Sequence, residues 1–374
     1  MVARSVSRYR LLGKFVTEFT RRPFARWAAL AVLLLVPSRL GPYGELPKPK
    51  PEPPKITVEQ IVQEAVETAE SLPRLQSLLI TWKDEPVVER YFNGARASTA
   101  ANVKSVSKSV ISALVGIAIA RDLIPDVDVP IAPYFPNVLG PDSDPQKRTI
   151  KVEDLLTMRS GLESTSGRNF GAWVASRSWV RNALTRPMIR LPGTKMEYST
   201  GNSHLLSAIL TKVSKSSTWA FAQETLATPL GFDLAKWPRD PEGIYRGGND
   251  MELTPREMML FGKLYLNRGR ANGRQIIPAS WVDRSFVPKG RSRYSGRLYG
   301  YGWWIRRLAG RAVFYAWGYG GQFIFVVPDL EAVIVTTSST QPGRGRRAHR
   351  AAVYDLVEGV VTKLSTNLGN SARL

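Results

Sequence analysis

Strand-forming patterns sit at the two ends of this chain, and helical patterns fill its middle. Residues 75–82 and 87–91 are rich in Leu, Ile and Val and read as two strands joined by the turn Lys83-Asp84-Glu85-Pro86. The next strand patterns come only after Tyr299, at 302–307, 312–315, 323–327 and 332–337. Turns at Leu308-Ala309-Gly310 and Pro328-Asp329 make these four an antiparallel meander. The expected fold class is therefore α/β of the α+β type. An antiparallel sheet flanked by helices is drawn from about 56–100 and 295–365, with a mostly helical insert at about 101–294.

The folded part is expected to begin near residue 56. Thr57 and Gln60 have the spacing of a capping box, with Ile56 and Ile61 as its hydrophobic staple. That helix runs to about Glu70, and a last helix is expected at about 348–364. Upstream lie a leader at 1–38 and a Pro-rich linker at 39–55, whose Pro47-Lys48-Pro49-Lys50-Pro51-Glu52-Pro53-Pro54-Lys55 is too rich in proline to fold into a core. Seven basic residues, Arg4 to Arg26, precede ten apolar ones at 27–36. A basic flank before a short apolar run has the form of a signal peptide, with a weak cleavage site after Ser38 because of Pro37, or of an uncleaved membrane anchor. The expected location is periplasmic or otherwise extracytoplasmic, with 27–36 as the anchor.

The chain has no Cys and two His, His204 and His349. Disulfides, thiolate catalysis and Cys-rich metal sites are excluded, and neither a metal nor an organic cofactor is implied. The net charge is +21, of which residues 1–55 supply +8. The Arg residues are scattered and no nucleic-acid-binding motif is present, so no nucleic-acid partner is expected. Contact with an anionic membrane surface through the leader fits the charge better.

One short stretch carries the chemistry. Ser105-Val106-Ser107-Lys108 follows a polar run and opens the apolar segment 110–120, long enough for a buried helix. Ser105 would sit at the helix N-terminus, with Lys108 one turn on and on the same face. A lysine at an apolar helix start is partly desolvated, which lowers its pKa and lets it accept a proton. A hydroxyl nucleophile, an amine base and backbone N–H groups for the oxyanion are the parts of an acyl-enzyme mechanism. A Ser-His-Asp arrangement is disfavoured, because Gly201-Asn202-Ser203-His204 is followed by Leu205 where a nucleophile elbow needs Gly.

Further segments occur in order along the chain: Leu155-Leu156-Thr157-Met158-Arg159-Ser160-Gly161-Leu162, Tyr198-Ser199-Thr200, Gly247-Gly248-Asn249-Asp250-Met251 and Trp317-Gly318-Tyr319-Gly320-Gly321-Gln322. With Ser105-Val106-Ser107-Lys108, they give residues 57–365 a pattern that resembles the serine β-lactamase and penicillin-binding-protein superfamily. The nearer likeness is to its class C-like branch of esterases, D-aminopeptidases and 6-aminohexanoate-dimer hydrolases. The resemblance implies a site in the cleft between sheet and helical part. Ser105 would be the nucleophile, Lys108 the amine that shuttles its proton, and Tyr198 the partner base and leaving-group acid. A phenol beside an ammonium is expected to have a depressed pKa and to share a proton with it. The oxyanion hole would be the N–H of Ser105 and that of Gln322. Asn249, Tyr319, Gly320, Gly321, Trp317 and Phe170 are the expected substrate-binding residues, with Trp303 a further candidate for an apolar pocket.

Two departures bear on substrate. Position 200 is Thr where the tyrosine motif usually ends in Asn, and Lys-Thr-Gly occurs nowhere in the chain. Both argue against penicillin and toward a small-molecule ester or amide. The alternatives are a D,D-carboxypeptidase or β-lactamase, and a membrane-tethered ligand-binding homologue without turnover.

Overall fold

The Thr57 side chain accepts from the Gln60 N–H and the Gln60 side chain accepts from the Thr57 N–H, so the capping box forms and starts a helix over Val58–Glu70. In this computed structural model, which describes residues 56–371, that helix precedes the first strands, β1 (Leu75–Trp82) and β2 (Glu85–Tyr91). The leader, the apolar run at 27–36 and the Pro-rich linker lie outside the described residues. Among the described residues no helix is long and apolar enough to cross a membrane.

Two short strands inside the helical stretch, β3 (Ala101–Asn102) and β4 (Glu252–Leu253), pair with each other. A small hairpin of β5 (Arg270–Ala271) and β6 (Arg274–Gln275) follows. The chain then enters the main sheet through β7 (Gly290–Arg291) and β8 (Leu298–Tyr299). It continues as β9 (Trp304–Leu308), β10 (Arg311–Gly318), β11 (Gln322–Val327) and β12 (Ala332–Ser338). The eight-stranded order is β2-β1-β12-β11-β10-β9-β8-β7, with neighbouring strands antiparallel throughout. The last strand of the meander thus zips onto the first strand of the chain, as strand patterns at both ends required. The last helix, Arg346–Ser371, is longer than the expected 348–364.

Side-chain alternation covers both faces of the sheet. Leu79, Ile324, Val326, Val333 and Val335 point into a core shared with the helical part. Leu78, Ile80, Phe323, Phe325, Val327 and Ile334 point the other way, into a core with Ile61, Ala65, Val357 and Val361 of the first and last helices. β11 and β12 are buried along their whole length, which explains their near-continuous apolar sequence.

The helix Pro255–Leu266, started by the capping box of Thr254 and Glu257, lies on the first of these faces. Gly262 makes the close approach. A Cβ there would stand 2.5 Å from Val333 Cγ1 and 2.8 Å from Ile324 Cγ2, inside the contact limit. Gly262→Ala gains about 1 kcal/mol of helix propensity but forces an overpacking loss of about 1–3 kcal/mol. The clash wins, so urea unfolding should show a net destabilisation of about 1 kcal/mol. An unchanged or raised midpoint would mean that the sheet yields at this contact.

Candidate active site

Ser105 does not stand on the α-helix itself. It lies in a 3₁₀ turn, Lys104–Val106, immediately before the helix Ser107–Ala120. Lys104 adopts φ +51°, a left-handed conformation that non-glycine residues visit only when the surroundings impose it. The surroundings here come from the loop at 247–251. The Val103 N–H donates to the Met251 carbonyl at 2.9 Å, and the Met251 N–H donates to Ser107 Oγ at 3.3 Å. The Asp250 carboxylate accepts from Asn102 at 3.0 Å, Lys104 at 3.1 Å and Arg246 at 2.6 Å. With the β3–β4 pairing, these bonds lock the serine turn to the Gly247-Gly248-Asn249 segment.

Lys108 is buried, 3% exposed. Its Nζ is 3.1 Å from Ser105 Oγ and donates to the Gly248 carbonyl at 2.6 Å. Thr200 Oγ1 stands at the outer limit of hydrogen bonding, 3.5 Å away. Burial drives the Lys108 pKa from 10.5 down to about 7, against a smaller upward pull from the Asp250 charge. An amine with that pKa is about half neutral at physiological pH. Asn249 Oδ1 accepts from Ser105 Oγ at 3.3 Å, so Asn249 stands beside the serine hydroxyl.

Tyr198 ends the extended segment before the helix Thr200–Ser214. Three consecutive residues of another loop clamp that segment. Ser164 Oγ donates to the Tyr198 carbonyl at 2.6 Å, the Thr165 N–H donates to Ser199 Oγ at 3.1 Å, and the Thr200 N–H donates to Ser166 Oγ at 2.9 Å. The phenol ring stacks on Trp304, with centroids 5.7 Å apart and planes 23° off parallel, and meets Tyr299 edge-on. The Lys108 Nζ stands 5.1 Å from the ring centroid. Burial pushes the Tyr198 pKa up to about 12, while a hydrogen bond with Ser105 pulls it the other way. This corrects the expectation of a depressed phenol. Desolvation outweighs the neighbouring amine, which is itself mostly uncharged above pH 7, so Tyr198 stays protonated.

The end of β10 closes the site. A Cβ on Gly318 would lie 2.1 Å from the Val103 carbonyl oxygen, so only glycine lets the strand approach the serine turn. The next residue, Tyr319, lines a void of about 270 Å³ together with Ser105, Tyr198, Ser292, Tyr294, Ser295, Trp304 and Trp317. Among the described residues neither the Ser105 N–H nor the Tyr319 N–H is engaged in a hydrogen bond. Gln322 does not line this void. It is fully buried at the base of the hairpin, its amide bonded to the backbone of Ser338. The Gln322 side chain thus points into the core, whereas Tyr319 lies at the void beside Ser105.

Trp317 and Tyr319 thus reach the site. Gly320 and Gly321 do not line it: they form the β10–β11 turn at φ +93° and +117°, with Gly321 against Ser338. Phe170 is on a short helix, Phe170–Val174, packed on Trp173 and away from the void. Trp303 is buried between Phe261, Tyr265 and Phe286. Its neighbour Trp304 faces the site instead, because adjacent strand residues point to opposite faces. Trp304 was legible as half of a Trp-Trp pair in a strand, whereas Ser292, Tyr294 and Ser295 sit on a β7–β8 connection with no sequence signal of function. Among the described residues no three His, Asp or Glu side chains are grouped to hold a metal ion.

The profile of the β-lactamase family matches residues 60–358, four-fifths of the chain. The chain belongs to the β-lactamase family. An uncharacterized protein of Alkalihalophilus pseudofirmus is 26% identical over 291 residues, covering 69% of this chain and 82% of that one. Among solved structures, a candidate 6-aminohexanoate-dimer hydrolase from Bacillus anthracis superposes with a TM-score of 0.64 at 20% identity, over 80% of this chain and 82% of the other. A penicillin-binding protein homologue from Pyrococcus abyssi, described as octameric, gives 0.61 at 19% identity over 80% and 76%. A family VIII carboxylesterase gives 0.61 at 16% over 81% and 98%. These likenesses show the β-lactamase fold, with its large antiparallel sheet and helical part.

The buried lysine of this β-lactamase-family site has a consequence for stability. Its folded-state pKa, about 7, lies below the ordinary 10.5 that the unfolded chain keeps. The unfolded state therefore binds the proton more tightly between those values, and stability rises with pH across that window. The deficit is full below about pH 7 and gone above about pH 10.5, on the order of 5 kcal/mol. Lys108→Met should remove this dependence. Urea unfolding at about pH 6, 8 and 10 should show the variant gaining on wild type as pH falls. Parallel pH dependences would mean that Lys108 keeps an ordinary pKa.

Proposed function

We propose that this protein is a serine hydrolase that cleaves an ester or amide through an acyl-enzyme on Ser105. The observation that carries the proposal is a buried Lys108 amine 3.1 Å from Ser105 Oγ, with a pKa near 7. Neutral Lys108 takes the Ser105 proton as Oγ attacks the substrate carbonyl carbon. The negative charge that develops on the carbonyl oxygen falls to the free N–H groups of Ser105 and Tyr319. Tyr198, kept protonated by burial, gives its proton to the leaving group as the C–O or C–N bond breaks, and regains one from the Lys108 ammonium. Water then attacks the acyl carbon, losing its proton to the same amine, and Ser105 leaves as the hydroxyl.

The aromatic walls of the void, Tyr198, Trp304, Trp317 and Tyr319, suit an apolar acyl or alcohol portion. The chain has no Lys-Thr-Gly, and among the described residues no basic one lines the void to hold a β-lactam carboxylate, which favours the ester or amide reading over penicillin turnover. We also place the enzyme outside the cytoplasm, held at the membrane by residues 27–36, on the basic-then-apolar pattern of its leader.

The deciding experiment is hydrolysis of a short-chain p-nitrophenyl ester by the full chain. Wild type should show serine-dependent turnover, and Ser105→Ala should lose at least about 10³-fold in kcat. Equal rates in the two proteins would remove Ser105 as the nucleophile, and rapid nitrocefin turnover would overturn the substrate preference.

The titration of Lys108 sets the pH profile. Only the neutral amine accepts the proton, so kcat/KM should fall about tenfold per unit below pH 7 and level off above it. A flat profile between about pH 5 and 9 would exclude Lys108 as the base. Tyr198→Phe removes the donor while leaving the ring on Trp304, and should lower kcat by about 10²–10⁴ with little change in fold.

A further inference from the structure

A second void adjoins the cleft and differs from it in charge. It measures about 530 Å³ and is lined by five basic residues, Arg190, Lys195, Lys289, Arg291 and Arg293. Two of them have carboxylate partners: Lys289 is 3.1 Å from Glu153, and Arg293 is 3.2 Å from Glu197. Among the described residues the other three have no acidic partner, and Arg291 donates only to the Gly296 carbonyl.

Positive charge alone argues nothing in a chain of +21. Elsewhere on the surface some basic residues face acids, as Arg121 meets Glu224 and Arg268 meets Asp283. Others, such as Arg90, Arg96 and Arg307, have no acidic partner among the described residues, at exposed positions that line no void with one another. Here uncompensated cations converge on a concavity from two elements, the segment before Tyr198 and strand β7. Like charges gathered in a cleft repel one another, and the potential they create is relieved by a bound anion. Two guanidinium groups supply the forked donors that carboxylates and phosphates accept.

The void also shares walls with the spaces leading toward the site. Arg293 lines both it and a middle void of about 610 Å³. That middle void shares Tyr198 and Tyr294 with the pocket around Ser105. The three spaces run from an aromatic end at the nucleophile to a basic end away from it.

We infer that the basic void is an anion subsite of this cleft, which holds a carboxylate or phosphate group on the substrate at the end away from the scissile bond. The word substrate rests on the hydrolase reading; the anion site does not. Arg190, Lys195 and Arg291 are its binding residues, and they determine specificity without touching the reacting atoms.

The test is calorimetric titration of the full chain with inorganic tripolyphosphate and, separately, with citrate, at low and at physiological salt. Wild type should bind one of them saturably, and the tighter probe separates phosphate from carboxylate chemistry. The triple variant Arg190→Glu, Lys195→Glu, Arg291→Glu should bind about tenfold or more weakly. A control triple, Arg90→Glu, Arg96→Glu, Arg307→Glu, changes the net charge equally at exposed positions and should stay within about twofold of wild type. Absence of binding, or equal losses in both triples with unfolding midpoints preserved, would overturn the site.

A second arm compares p-nitrophenyl half-esters of dicarboxylic acids of increasing length with the matching neutral esters. The pocket triple should raise KM for the anionic esters and leave the neutral ones unchanged, and equal effects on both would overturn the substrate assignment. The titration needs no turnover, so if Ser105→Ala kept full activity the hydrolase reading would fall while the binding result stood.

Discussion

A lysine amine held out of water beside a serine hydroxyl is the interaction on which the rest of this site depends. Burial disfavours the ammonium, so the fold must supply enough packing to absorb that cost and enough polar partners to keep the amine in place. The apolar helix Ser107–Ala120 supplies the packing, and the Gly248 carbonyl and Ser105 hydroxyl supply the partners. A solvated Lys108 would be an ordinary cation and Ser105 an ordinary alcohol. The same desolvation that depresses the lysine raises the tyrosine, and the two shifts together separate a base from an acid in one small space.

Position is achieved by backbone more than by side chains. The serine turn is strained at Lys104 and held by the β3–β4 pairing, the Val103 to Met251 bond and the Asp250 carboxylate. The tyrosine segment is held by Ser164, Thr165 and Ser166, whose hydroxyls and N–H groups match its own backbone and side chains one for one. The strand is admitted by Gly318, which has no Cβ to strike Val103. Three loops far apart in sequence therefore converge on rigid attachments, which suits chemistry that tolerates little misplacement.

Much of the fold was legible because local rules and tertiary needs agree. The Thr57 and Thr254 capping boxes formed where their spacing put them, and the meander of β9 to β12 followed the turn residues. Disagreements arose where local sequence is silent. Trp303 and Trp304 are equally apolar neighbours, and only the register of β9 against β10 decides which one faces the cleft. Gln322 and Tyr319 are both near the strand start, but the two-glycine turn between them sends one into the core and the other to the site.

The sequence by itself determined the elements, strands at both ends around a helical insert, and set Ser105 about one helical turn before Lys108. Those features follow from periodicity, capping and residue type, all of which act within a few residues. Tertiary structure alone decided how the tyrosine titrates, which N–H groups are left free beside Ser105, and that uncompensated arginines gather in one void. Each of these depends on desolvation or on which distant backbone comes near. Burial and long-range contact are properties of the packed chain, and no local pattern encodes them.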